Sequence, residues 1–251
     1  YLGDVTHYLD IWLDATPEGA QVLGDALRVR IPSNWKLPVE NVSGDGYHLG
    51  WSHAAAIQAA TQGRMDYVEA SNAGVDQSRS VSVAGLNGHM ALGSLDGESG
   101  YAFVIRQDLV QEYLHRRRPE VVQRLGEFRG GKLWGSQVNV TIFPNLQILA
   151  GINWLRVYHP KGPGEYEMWT YAIGERGMSE EFKDAVRETT YRCFGPGGLF
   201  ENDDGEVQQA ITQVSRGVRS GRVALYLGMG QGHEYRRDDL PGTFGDGMVT
   251  E

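Results

Sequence analysis

Cysteine is almost absent from this sequence: Cys193 is the only one in 251 residues. A single thiol cannot form a disulfide within the chain, and it cannot supply a cysteine-based zinc or iron–sulfur site. Long apolar runs are also absent, and those present are far too short to cross a bilayer, so no membrane association is expected. No signal peptide is recognisable, and a cytoplasmic location is therefore expected.

Positive charge is scarce as well, with 23 Lys and Arg against 32 Asp and Glu and a net charge of −9. This balance argues against nucleic-acid binding, because phosphate backbones select basic surfaces. The one basic cluster, residues 116–118, is expected to be a solvated helix face or a docking patch for an acidic partner. A hydrophobic fraction of 41% is enough for a sizeable core, and the length suits one large domain or two small ones.

Five segments have the apolar pattern of β-strands. In residues 27–31, LRVRI, apolar residues alternate with two arginines, which predicts a strand with one solvated face. Residues 154–158 and 166–173 flank the Gly- and Pro-rich turn HPKGPGE and are expected to form an antiparallel hairpin. The other two predicted strands span residues 138–142 and 222–227.

Three helices are predicted as well. Ser179 is placed to cap a helix whose apolar residues, including Phe182 and Val186, recur on one face. Residues 108–127 form a second helix that restarts at Pro119. Hairpins mixed with helices, without regular βαβ alternation, favour an α+β domain around an antiparallel sheet. The third helix is predicted from the spacing of its apolar residues, Val207, Ala210, Ile211 and Val214.

The stretch GDGYHLGWSHAA places two of the seven histidines, His48 and His53, close to Asp45. Imidazole and carboxylate groups are common ligands of divalent metals. On a regular helix this spacing would point the two imidazoles about 140° apart, but the neighbouring glycines loosen the backbone enough for them to converge. The alternative is that His48 is a buried, hydrogen-bonded histidine, His53 an exposed one and Asp45 a turn residue.

An acidic cluster much later in the chain offers a third ligand. Acids at the start of a helix are ordinary capping and dipole groups, which is the alternative explanation for this cluster. One of its carboxylates together with the two histidines would form the facial triad of non-haem Fe(II) oxygenases, which leaves coordination positions open for dioxygen. The cluster follows a Gly/Pro turn and contains Glu201, Asp203, Asp204 and Glu206.

Several stretches, taken in order, resemble the catalytic domain of Rieske-type aromatic-ring-hydroxylating dioxygenases, in their large (α) subunit. They are ENVSGDGYHLGWSHAA and FGPGGLFENDDGE, supported by NWKLPVEN, TIFPN, RVYHPKGP and DLPG. The resemblance covers essentially the whole chain. It implies a helix-grip α+β fold, an antiparallel sheet flanked by helices, and it implies that residues 1–251 are a mononuclear non-haem iron catalytic domain.

The resemblance implies a role for each residue of the motif. His48, His53 and Asp204 match the iron ligands of the family. Asp45 matches the acid that carries electrons from a Rieske cluster on a neighbouring subunit, and Asn41 matches an asparagine close to the iron. Asp45 is also placed to accept a hydrogen bond from the second ring nitrogen of His48.

The same resemblance implies a substrate pocket. Its lining is mostly apolar, which suits a neutral aromatic substrate held by burial. No Arg or Lys falls on these positions, so a carboxylated substrate is less favoured, although Arg156 lies nearby in a strand. Plain core packing is the alternative for each position. The positions are Val42, Leu49, Gln137, Asn139, Leu149, Ile152, Phe194, Leu199 and Phe200.

The implied activity is cis-dihydroxylation of an aromatic compound with Fe(II) and dioxygen, in aromatic catabolism. A complete α subunit also carries a Rieske domain, whose [2Fe–2S] cluster needs two cysteines and two histidines. We therefore expect that N-terminal domain, and the extreme C-terminus, to lie outside this chain. The expected partners are a ferredoxin, an NAD(P)H-dependent reductase and an α-subunit trimer with small β subunits.

Three alternatives remain. The first is monohydroxylation or demethylation on the same iron. The second is a non-catalytic small-molecule-binding module on the same scaffold, which would have no need of a His-His-Asp set. The third is a zinc hydrolase, although a general-base motif such as HExxH is not found.

Overall fold

The computed structural model describes residues 1–45, 48–62, 66, 80–94, 104–133, 138–223 and 232–246. The strands in these ranges are β1 (Ala20–Val22), β2 (Leu27–Ile31), β3 (Ser80–Ala84), β4 (Met90–Ser94), β5 (Val138–Ile142), β6 (Leu146–Leu149), β7 (Trp154–Gly162), β8 (Glu165–Glu175) and β9 (Thr243–Asp246). They form one antiparallel sheet in the order β1-β8-β7-β6-β5-β4-β3-β9, and β2 also pairs with β8. The helices are α1 (Val5–Leu13), α2 (Lys36–Gly44), α3 (His48–Ser52), α4 (Ala54–Ala60), α5 (Gln107–Gly131), α6 (Glu180–Phe194) and α7 (Glu201–Ser215).

Four of the five predicted strands are confirmed as β2, β5, β7 and β8. β7 and β8 form the predicted hairpin, closed by the pair Gly162 and Glu165. β2 has the predicted alternation, with its two arginines exposed and Ile31 buried. The segment predicted as a strand over 222–227 begins in a 3-10 turn (Ser220–Arg222), and its residues 224–227 lie outside the described part of the chain.

The largest core cluster joins the long helix α5 to the sheet and to α6. It contains Val110 and Tyr113 of α5, Trp154 of β7 and Phe182 of α6, all nearly inaccessible to solvent. α5 keeps Pro119 inside it and has one non-helical residue, Gly126. The α+β prediction is therefore confirmed: one antiparallel sheet, flanked by helices, with a long helix packed on it.

Helix α6 begins as its sequence predicts. The hydroxyl of Ser179 accepts a hydrogen bond from the backbone N–H of Phe182, 3.2 Å away, which satisfies a donor that the helix leaves open. Glu180 and Glu181 lie in the first turn, where carboxylates suit the helix dipole.

Helix α7 exists as predicted but begins earlier and turns its other face inward. Its apolar residues Val207, Ile211 and Val214 are exposed, and the residues it buries are Glu201, Gly205, Gln208 and Thr212. The amphipathic pattern correctly predicts a helix here, but it wrongly predicts which face of the helix is buried. Polar partners explain the difference, because Gln208 receives a hydrogen bond from Tyr166 and Thr212 one from the backbone of Asn34.

In the part of the chain that the structure describes, no helix is both long enough and apolar enough to span a membrane.

Candidate metal centre

Two helix breaks bring His48 and His53 together. α2 ends at Gly44, and His48 begins the short helix α3. His53 takes non-helical angles (φ −104°, ψ 6°) between α3 and α4. The centroids of the two imidazoles are therefore 5.1 Å apart and their planes nearly perpendicular. The predicted convergence of the two rings is confirmed.

The third candidate ligand lies in the first turn of α7. Asp204 Oδ1 is 3.2 Å from His53 Nε2. One potential ligand atom from each of His48, His53 and Asp204 lies within 4.8 Å of the other two. Two ligand atoms about 2.1 Å from a metal and at a right angle to each other are about 3 Å apart, so the 3.2 Å between His53 Nε2 and Asp204 Oδ1 suits a shared ion.

The Nδ1 atom of each histidine has a partner. His53 Nδ1 lies 3.3 Å from Asp203 Oδ2, and His48 Nδ1 lies 2.6 Å from the backbone carbonyl oxygen of Asp45. These contacts orient the rings and leave the Nε2 atoms to bind a metal. Asp45 is therefore the acceptor for His48, as predicted, and it accepts through its backbone carbonyl, whereas its carboxylate oxygen Oδ2 lies 4.0 Å from His48 Nδ1.

The charges of the cluster are strongly coupled. Burial lowers the pKa of His53, but the carboxylates of Asp204 and Asp203 outweigh burial and raise this pKa to about 9. Burial likewise opposes ionisation of Asp204, but His53, with smaller contributions from His48 and Arg156, outweighs it, so the pKa of Asp204 lies below its usual value. The raised pKa of His53 and the lowered pKa of Asp204 favour a protonated imidazole paired with the Asp204 carboxylate. A divalent cation would replace that proton.

A pocket of about 440 Å³, counting the part open to solvent, lies against this cluster. Its walls include His48, His53 and Asp204, and Asn41 from α2. Six of the predicted substrate positions also line it: Val42, Leu49, Asn139, Leu149, Phe194 and Phe200. Asn139 is further tied to the wall, because its side-chain amide donates to the carbonyl of Val42 at 3.0 Å.

Two of the remaining three predicted positions lie in the core instead. Ile152 is completely buried in the main core cluster, and Leu199 packs against that cluster. Gln137 lies outside the described residues.

Three lining residues were not predicted: Leu92, Trp154 and Arg156. None of the predicted lining positions is Arg or Lys, and the sequence left open whether the nearby Arg156 points inward; in the structure Arg156 is 4% exposed and lines the pocket. A signal for this was present, since side chains two apart on a strand share a face and Arg156 follows the apolar Trp154 at that spacing. Its charge is balanced by Glu201, whose Oε2 lies 2.7 Å from Arg156 Nη2.

Comparison with known proteins agrees with this geometry. The family model "Ring hydroxylating alpha subunit (catalytic domain)" matches residues 13–237. The large oxygenase component of the naphthalene 1,2-dioxygenase system of Pseudomonas aeruginosa is 32% identical over 258 residues, covering 100% of this chain and 56% of that protein. The biphenyl 2,3-dioxygenase α subunit of Rhodococcus jostii is 35% identical over 248 residues, covering 97% of this chain and 53% of that protein.

Solved structures give the same answer. A naphthalene 1,2-dioxygenase with indole bound in the active site superimposes with a TM-score of 0.84 at 28% identity, covering 98% of this chain and 55% of the other. This match confirms the predicted helix-grip fold. The chain spans about half the length of the relatives it matches. It belongs to the family of ring-hydroxylating α subunits, and the part of them that it matches is their catalytic domain.

Proposed function

We propose that residues 1–251 are the iron-bearing catalytic domain of an oxygenase that cis-dihydroxylates a neutral aromatic compound with dioxygen. The observation that carries this proposal is the His48, His53 and Asp204 cluster at the wall of a largely apolar pocket. A module that only binds small molecules has no use for such a cluster, and a zinc hydrolase would need a general base beside it.

The donor set fits the ferrous iron of this family. Two imidazole nitrogens and one carboxylate oxygen form a facial triad, which leaves coordination positions free. Iron bound there supplies the activation of dioxygen. The protein contributes the fixed orientation of its ligands: Asp203 holds the ring of His53, and the carbonyl of Asp45 holds the ring of His48.

The substrate class follows from the pocket wall. Leu49, Leu149 and Phe200 offer apolar surface next to the histidines, and burial against such surface is what holds an uncharged aromatic ring. Arg156 does not change this proposal, because its charge is balanced by Glu201 before any substrate arrives. The relatives named for naphthalene and biphenyl act on hydrocarbons of this uncharged kind.

Electrons would enter beside Asp45. Its side chain is 42% exposed and close to His48, so it lies between the proposed iron and solvent. We propose that a Rieske [2Fe–2S] cluster of a neighbouring α subunit docks there, in a trimer with small β subunits. A ferredoxin and an NAD(P)H-dependent reductase would supply the electrons, which favours the cytoplasm as the location.

A chimaeric oxygenase tests the activity. This chain would replace the matching segment of the Rhodococcus jostii biphenyl 2,3-dioxygenase α subunit and be expressed with that system's other components. Naphthalene or biphenyl would be supplied with ¹⁸O₂ and the products analysed by mass spectrometry. A cis-dihydrodiol carrying two ¹⁸O atoms is expected. A product with one ¹⁸O atom would indicate a monooxygenase, and no product from an iron-loaded chimaera would favour a binding module.

A further inference from the structure

The first turn of α7 carries a buried carboxylate besides the proposed ligand. Glu201 is 6% exposed, and it lies three residues before Asp204, so the two side chains are neighbours on the helix. Glu201 is not part of the His48, His53 and Asp204 cluster. Its Oε2 accepts a hydrogen bond of 2.7 Å from Arg156 Nη2.

Arg156 is itself held firmly on β7. Its Nε donates to the hydroxyl of Thr170 on β8 at 3.0 Å. Its guanidinium lies 4.3 Å above the ring of Trp154, and it forms part of the same pocket wall as His48 and Asp204. The guanidinium therefore ties the first turn of α7 to the centre of the sheet.

A buried ion pair is a poor way to stabilise a fold. Removing two charges from water costs about as much as their attraction returns, and apolar pairs of similar volume are often equally stable. Directed, charge-assisted hydrogen bonds instead fix geometry. Here the geometry that they fix is the start of the helix that carries Asp204.

We propose that Arg156 and Glu201 are positioning residues, which hold the first turn of α7 so that the carboxylate of Asp204 meets the two histidines at the metal. This inference rests on the proposed function, because it takes Asp204 as a ligand. It adds a role for two residues that do not themselves bind the ion.

Three variants test it: Glu201→Gln, the apolar double variant Arg156→Met/Glu201→Met, and Thr212→Val as the matched control. Thr212 is also buried on α7 and also ties the helix to the rest of the protein, through Ser33 Oγ and the Asn34 backbone N–H at 2.9 Å each. It lies two turns further from the metal ligands. Anaerobic Fe(II) affinity and the visible absorption spectrum of the Co(II)-loaded protein would be measured, with thermal unfolding followed by circular dichroism.

Glu201→Gln is expected to weaken Fe(II) binding by about 10-fold, the lower end of the effect of losing a group that orients a ligand, because Glu201 acts on Asp204 through the helix. It is also expected to alter the Co(II) spectrum. The double variant should keep its folded state and show the same altered metal site. Thr212→Val should lower the unfolding temperature and leave affinity within about twofold of wild type.

A double variant with wild-type Fe(II) affinity and a wild-type Co(II) spectrum would overturn the inference. If Glu201→Gln does not fold, the double variant alone provides the test. An equal loss of affinity in Thr212→Val would also overturn it, since general loosening of α7 would then suffice. Failure of the folded wild-type protein to bind Fe(II) would instead refute the proposed function, and the inference with it.

Discussion

His53 meets a carboxylate on each side of its ring, and the two carboxylates have different roles. Asp204 faces Nε2, the atom that would bind the metal, whereas Asp203 faces Nδ1. Consecutive residues of one helix turn thus supply a ligand and the partner that orients another ligand. The orienting role of Asp203 is the easier of the two to test by mutation.

Asp203→Ala should weaken Fe(II) binding by about 10- to 100-fold without abolishing it, because the ring of His53 loses its orienting partner and keeps its place as a ligand. Anaerobic titration measures this. Glu206→Ala is the matched control, since Glu206 is an exposed acid of the same helix. Wild-type affinity in Asp203→Ala would contradict the role given to Asp203.

Asp45→Ala should retain iron and slow electron delivery. The backbone carbonyl that holds His48 survives the substitution, while the carboxylate proposed to connect the two metal centres is lost. Both expectations can be checked in the chimaeric oxygenase. The iron content tests whether iron is retained, and the rate at which the reduced Rieske cluster is reoxidised tests electron delivery. A reoxidation rate equal to wild type would contradict the electron-transfer role.

The residues of this site differ in how far a sequence can reveal them. His48, His53 and Asp204 stand in a distinctive motif, so they were predictable. Arg156 was not placed, because a strand pattern shows which side chains share a face and leaves open whether that face points inward. The hydrogen bond from His48 goes to a backbone carbonyl, which every residue has, so no side-chain pattern could have indicated it.

Among the elements, α7 departs most from its pattern. Its apolar residues are exposed and its polar ones buried, because buried polar groups of β8 and the segment before α2 give Gln208 and Thr212 their hydrogen bonds. An amphipathic pattern predicts that a helix exists. Which face of that helix is buried depends on partners that are distant in sequence.

Substitutions of the apolar residues of α7 should therefore change stability little, and substitutions of its buried polar residues should be destabilising, which is the reverse of what the amphipathic pattern suggests. Val214→Gln, at a side chain 64% exposed, should change the free energy of unfolding by no more than about 0.5 kcal/mol. Thr212→Val should cost about 1 kcal/mol or more, because the partly buried Asn34 N–H loses its acceptor. Urea unfolding measures both, and a larger cost for Val214→Gln would contradict the orientation of α7.

The junction of β8 and α5 should make stability depend on pH. Burial, with a contribution from Glu18, raises the pKa of Glu175 to about 8, and the hydroxyl of Tyr113 on α5 donates to this carboxyl group. The folded state keeps a proton that the unfolded chain loses above about pH 4.5. The contribution of Glu175 is therefore fully present below that pH and is lost progressively as the pH rises to about 8.

Glu175→Gln should flatten this dependence, because the amide does not titrate and can still accept from Tyr113. Unfolding midpoints of both proteins at pH 5, 6.5 and 8 give the comparison. The difference between the two proteins isolates the contribution of Glu175, because all other ionisable groups are the same in both. An equally steep loss of stability in the variant would refute the assignment.

At the scale of the whole molecule, the sheet brings together segments that are far apart in sequence. His48 and Asp204 are separated in sequence by β3 to β8 and two long helices, and the pocket beside them is walled by β4, β5, β6 and β7. The fold class was predictable from hairpins and helices in irregular order. The order of the strands was not, because local patterns do not specify which strands pair.

Anaerobic Fe(II) titration of the purified chain tests the central claim most directly, beside Asp204→Ala and the control Glu206→Ala, with circular dichroism to confirm that each is folded. We expect one Fe(II) per chain in the wild type and in Glu206→Ala, and loss or drastic weakening of binding in Asp204→Ala. Equal binding by a folded Asp204→Ala variant, or no binding by the folded wild type, would contradict the metal centre on which the proposed function depends.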